Sequence, residues 1–87
     1  MKRIADTRLE SGDLYLFTPT AHFLSGAGLW GIFDRIGENG EIRLEVYSPD
    51  FEHFRRTATL PPEYLYCRQA TRHELRDFAF NMGSQRI

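Results

Sequence analysis

Cysteine, lysine and tryptophan each occur once in these 87 residues, and proline only four times. The lone thiol, Cys67, excludes an internal disulfide and any metal centre completed by cysteines, and it fits a reducing compartment. No stretch approaches the roughly 18 apolar residues that a membrane helix needs. Met1 to Glu10 also lacks the apolar run of a signal peptide. A cytoplasmic protein without membrane contact is expected. Strong charge of either sign is missing too. Twelve acidic residues against eleven basic ones leave a net charge of −1, which argues against the long-range attraction behind non-specific nucleic-acid binding.

What is present suits one compact core. Hydrophobic residues make up 41% of the chain, with seven Phe and four Tyr among them. A chain of this size buries only roughly 60–65% of its unfolded surface, so it supports one core and not two. A single domain is predicted, with residues 1–11 as a polar lead-in, 12–70 as a β-rich body and 71–83 as a C-terminal helix. The lead-in reads as a frayed arm or one short helical turn.

Strand signals follow in order. Gly12-Asp13 marks a turn before Leu14-Tyr15-Leu16-Phe17, whose aromatic and aliphatic composition predicts a first strand. Thr18 to Gly28 is a long connection punctuated by Pro19, Ser25, Gly26 and Gly28, and long loops are places to look for function. Leu29–Ile36 and Glu41–Tyr47 flank Asn39-Gly40 and predict a hairpin. In its second arm Ile42, Leu44 and Val46 alternate with Arg43, Glu45 and Tyr47, so one face is core and the other wet. A fourth strand is expected near Phe54–Leu60, where Arg56 fits the alternation badly. Pro61-Pro62 breaks the ladder before a short strand over Tyr66–Ala70.

Thr71 and Glu74 form a Thr-x-x-Glu capping box that predicts a helix from Arg72 to Met82. Leu75, Phe78 and Met82 stand on one stripe at helical period and are expected to pack against the sheet.

Five short strands joined by a long first loop, a tight second turn and a one-turn break before the last strand resemble an SH3-like barrel. Leu60-Pro61-Pro62-Glu63-Tyr64-Leu65 is similar to the Pro-x-x-Tyr-Val turn of SH3 domains, and Asp13-Leu14-Tyr15 looks like part of their first-strand aromatic motif. The resemblance implies a five-stranded SH3-like barrel with one C-terminal helix, a mainly β fold. The acidic first loop and paired aromatics with which SH3 domains hold proline-rich peptides are absent between Thr18 and Trp30, so that mode of recognition is not implied. Arg68, Ala70, Thr71 and Glu74 give an Arg-x-Ala-Thr-x-x-Glu helix start similar to that of small phage and mobile-element proteins. This second likeness implies no chemistry, only a regulator or inhibitor that acts by binding.

Candidate chemistry is sparse. His22, His53 and His73 fall in three separate elements with no metal-ligand spacing, and Cys67 has no base placed beside it by any motif. Ser25-Gly26-Ala27-Gly28 precedes a strand, whereas phosphate loops follow one. The expectation is therefore a protein that is not an enzyme and carries neither cofactor nor metal, binding an unidentified protein partner. Phe23, Leu24, Leu29 and Trp30 are the candidate anchor patch, and they can equally plug one end of the barrel. The alternative is a nucleic-acid-binding face made of Arg35, Arg43, Arg55, Arg56 and Tyr47, interrupted by Glu41 and Glu45. An unpaired edge in so small a sheet also admits a homodimer.

Overall fold

Alternating Ile42, Leu44 and Val46 beside the run from Leu29 to Ile36 produce the pairing that their pattern calls for. The computed structural model describes residues 1–21, 28–47 and 55–77. Within them six strands form one antiparallel sheet: β1 (Lys2–Arg3), β2 (Leu14–Thr18), β3 (Leu29–Ile36), β4 (Ile42–Tyr47), β5 (Arg55–Thr59) and β6 (Tyr66–Gln69). Their order across the sheet is β1-β6-β2-β3-β4-β5. One short helix, α1, covers residues 72–77. No helix among the described residues is long and apolar enough to cross a membrane.

The class is mainly β, but the expected five-stranded barrel, closed or nearly closed, is not what forms among the described residues. The sheet has six strands, and its edge strands β1 and β5 do not pair with each other. The extra strand comes from the polar lead-in. Lys2 and Arg3 pair with Cys67 and Tyr66, and the Ile4 N–H donates to the Leu65 carbonyl at 2.9 Å before a 3-10 turn over Ile4–Asp6. Polar side chains gave no strand signal because β1 is an edge strand held through its backbone.

Further along the lead-in, the Glu10 N–H donates to the Tyr15 hydroxyl at 2.8 Å. The Gly12 N–H donates to the Phe33 carbonyl at 2.9 Å, with Gly12 in the left-handed region at φ 91°. Ile4 and Leu9 pack against the core, so this stretch is part of the sheet structure.

The core gathers Tyr15, Phe17, Phe33, Leu44, Leu60 and Cys67, with Leu29, Ile42, Val46 and Tyr64 packed on it. The β4 register is as expected: Leu44 is fully buried, and Ile42 and Val46 lie on its side. Gly31 sits over Leu44, where an added Cβ would come within 3.0 Å of Leu44 Cδ1. The hairpin turn is closed by the Gly40 N–H on the Gly37 carbonyl at 3.1 Å, and Gly40 takes φ 79°. Between Phe33 and Arg35 the β3–β4 register shifts, so Asp34 is an extra residue and Arg35 comes to lie opposite Arg43.

The capping box forms as written. The Thr71 N–H donates to Glu74 Oε1 at 2.9 Å, and the Glu74 N–H to Thr71 Oγ1 at 3.2 Å. Leu75, expected in the core, is 46% exposed. Glu74 is drawn toward the sheet by Arg68, and the next residue lies about 100° further round the helix. Phe78 and Met82 lie outside the described residues.

Candidate binding groove

Three segments distant in sequence meet beside the core. They are Arg3–Ala5, starting at the last residue of β1, the hairpin turn from Asn39 to Ile42, and the Thr59–Leu65 stretch that runs from the last residue of β5 toward β6. Together they enclose a groove of about 570 Å³, within the size range of ligand clefts. Its wall is apolar, made by Ile4, Ile42, Leu60, Pro61, Pro62 and Leu65. Backbone bonds fix the shape: the Leu60 N–H donates to the Ile42 carbonyl at 2.8 Å, and the Tyr64 N–H to the Pro61 carbonyl at 3.1 Å. Leu65 remains 50% exposed at the edge. The polar side chains of Arg3, Asn39 and Glu41 share the lining.

A second cluster lies on the sheet face away from the core. Leu16 pairs with Trp30 and with Arg68 on its two neighbours, and the Arg68 guanidinium lies 5.6 Å from the centre of the Trp30 ring. That guanidinium also makes a bidentate pair with Glu74 at 2.6 and 2.7 Å. The Arg68 pairing and the capping N–H bond hold the Glu74 carboxyl down at about 2. Trp30, Arg68, Glu74 and Thr71 thus form one chain of contacts that ties the helix start to the sheet. It satisfies its own charges and leaves none over for a ligand.

The anchor patch expected from the sequence is divided. Leu29 packs against the core and Trp30 is half-buried beneath Arg68, while Phe23 and Leu24 lie outside the described residues. The arginine face is divided by register. Arg35 stands opposite Arg43 and Arg55 opposite Tyr47, on one side of the sheet, whereas Arg56 stands opposite Val46, on the side of Leu44. Two arginines facing each other repel, and the half-buried Arg43 has its Nε without a hydrogen-bond partner. The side chains of Tyr47, Arg55 and Arg56 lie outside the described set.

Cys67 is 1% exposed, and burial pushes its thiol pKa up, away from the reactive thiolate. His73 is exposed, 3.4 Å from Asp77, and His22 and His53 lie outside the described residues. Among the described residues no three His, Cys, Asp or Glu side chains gather where a metal could sit.

No family model, no curated protein and no solved structure matches this chain. The groove was not legible beforehand, because its wall joins residues 4, 42 and 65, whose meeting depends on β1 pairing with β6. The one available signal was Pro61-Pro62 beside Leu60 and Leu65, an apolar stretch in which backbone donors are scarce.

Proposed function

We propose that this chain is a non-catalytic interaction module that binds a segment of another protein in the groove between β1 and the Leu60–Leu65 turn. The observation that carries the reading is the groove itself, an apolar wall joined by the polar side chains of Arg3, Asn39 and Glu41, with a half-exposed Leu65. Single exposed apolar side chains are ordinary, whereas a concave apolar cluster rimmed by polar groups has the character of a binding surface. The strand order β6-β2-β3-β4-β5, with β1 added, supports an SH3-like arrangement left open. The buried Cys67 thiol favours binding over catalysis.

The test is affinity capture from the native host by wild type and by Leu65→Glu in parallel, with nuclease treatment and gel filtration alongside. Leu65 is half-exposed, so the variant should fold. A protein held by wild type and lost by Leu65→Glu supports the reading. Equal capture by both excludes the groove. Material lost only on nuclease treatment would assign the chain to the nucleic-acid binders, whose affinity falls steeply with salt.

A further inference from the structure

We propose that the groove takes an extended segment of a partner protein as an added β-strand on the free edge of β5, with alternate apolar side chains of that segment lying against the groove wall. This rests on the groove being a protein-binding site. The lining includes a residue of each edge strand, Arg3 of β1 and Thr59 of β5. The two edges differ in what they offer. The Leu60 N–H bonds the Ile42 carbonyl in the same register that sets Leu44 opposite Ala58. Bonding alternates along an antiparallel ladder, so Ala58 and Leu60 face β4, whereas Thr57 and Thr59 turn their N–H and C=O groups outward. No described strand lies on that side, and both threonines are exposed. On β1 the Ile4 N–H bonds Leu65, which leaves Arg3 turned outward, and its carbonyl already accepts the Thr7 hydroxyl at 2.9 Å. β1 is thus short and half-blocked, while β5 presents an open row of donors and acceptors.

The complement of such a row is another extended backbone, which fixes the class of partner as a polypeptide. Pattern narrows it. Residues set beside Ala58 and Leu60 share the face on which Leu44 is buried, and that face runs into the apolar wall of Ile42, Leu60 and Pro61. The segment is therefore apolar at every second position, and it carries no proline where its N–H must meet β5. A second copy of this chain fits less well. Antiparallel pairing of two β5 strands about Thr57 places Arg56 of one copy opposite Ala58 of the other, and pairing about Ala58 places it opposite Leu60. Either way an arginine stands where the wall asks for an apolar residue.

The probe is a synthetic peptide, blocked at both ends, in which valine alternates with threonine or lysine. It is tested beside an isomer with its valines clustered and two forms N-methylated on one or the other set of alternate residues. Fluorescence polarisation should show the alternating peptide binding in preference to the clustered isomer. One N-methylated form should bind at least roughly tenfold more weakly and the other within about twofold of the parent, since only one set of N–H groups faces β5. Thr57→Pro, which removes an outward N–H and leaves the β4 ladder intact, should weaken binding by a similar factor, whereas Thr57→Val should not. By NMR the Thr57 and Thr59 amides should exchange quickly with solvent in the protein alone and slowly with peptide bound. Leu65→Glu should also weaken binding. Equal binding of the parent and both N-methylated forms would overturn strand addition, and its loss with Leu65→Glu would leave the groove standing as a protein-binding site. Failure of the alternating peptide to bind would overturn strand addition likewise, and the capture experiment with Leu65→Glu then decides the groove separately. A dimer seen in sedimentation and abolished by Thr57→Pro would give the edge to a second copy instead.

Discussion

Among the described side chains of β4, Ile42 to Val46, only Leu44 is buried and its neighbours Arg43 and Glu45 are half-open, whereas along β2 all five residues from Leu14 to Thr18 are buried. Both strands lie inside the same sheet. The difference is on the outer face. Beside β4 that face carries Arg35, Arg43 and Glu45. Beside β2 it carries Leu14, Leu16, Trp30 and Ile32, with Arg68 over the indole. Strict alternation marks a strand with one wet face, and an unbroken apolar run marks a strand dry on both. The buried Thr18 keeps this dry strand free of an unmet polar group, since its hydroxyl donates to the Thr20 carbonyl at 2.7 Å.

The sharpest way to break this comparison is to empty the outer face of β2. Leu16→Ala is expected to cost about 2–5 kcal/mol, a core-sized loss, although Leu16 points away from Phe17 and Tyr15. Urea unfolding measures it. A cost under about 0.5 kcal/mol, typical of a surface site, would put β2 under the same rule as β4.

Next in size is the contact between β3 and β4. Gly31→Ala sets a methyl 3.0 Å from Leu44 Cδ1 and 3.2 Å from Leu44 Cβ, and overpacking of that kind costs about 1–3 kcal/mol. Combining it with Leu44→Val should recover part of the loss in a double-mutant cycle on melting temperature, and strictly additive losses would place the strain elsewhere.

The smallest effect belongs to the tie at the helix start. Glu74→Gln is expected to cost about 1 kcal/mol at neutral pH, because both side chains are about a quarter to a third exposed and solvent screens the pair. The folded-state carboxyl is held at about 2, below its ordinary value. The stabilisation is therefore complete above the ordinary carboxylate range and is lost as pH falls toward 2. The gap in stability between wild type and Glu74→Gln should close over that window. A gap that persists unchanged at pH 2 would show that Glu74 acts through packing alone.

Much of this fold could be read in advance wherever the signal was local. The turn at Gly40, the inward Leu44 and the reciprocal Thr71–Glu74 bonds follow from residues a few positions apart. Leu75 shows where such reading stops. Its stripe was at helical period, yet the roll of the first turn is fixed by Arg68, a residue outside the helix. The candidate groove was less legible still. Arg3 and Ile4 carry no strand signal of their own, and they reach Leu65 only because β6 offers them a backbone edge.

The place of β6 between β1 and β2 sets a timetable. Both its partners come from the first eighteen residues, so every ladder bond of β6 joins positions about fifty or more apart in sequence. The β3–β4 hairpin can close as soon as its own residues have left the ribosome. β2 cannot be covered on its other edge until Gln69 has emerged, and until then its row of backbone donors is open to any extended chain nearby. Closing that gap pays a long loop entropy before any bond repays it, so refolding should sit toward the slow end for so small a protein, on the order of milliseconds to seconds.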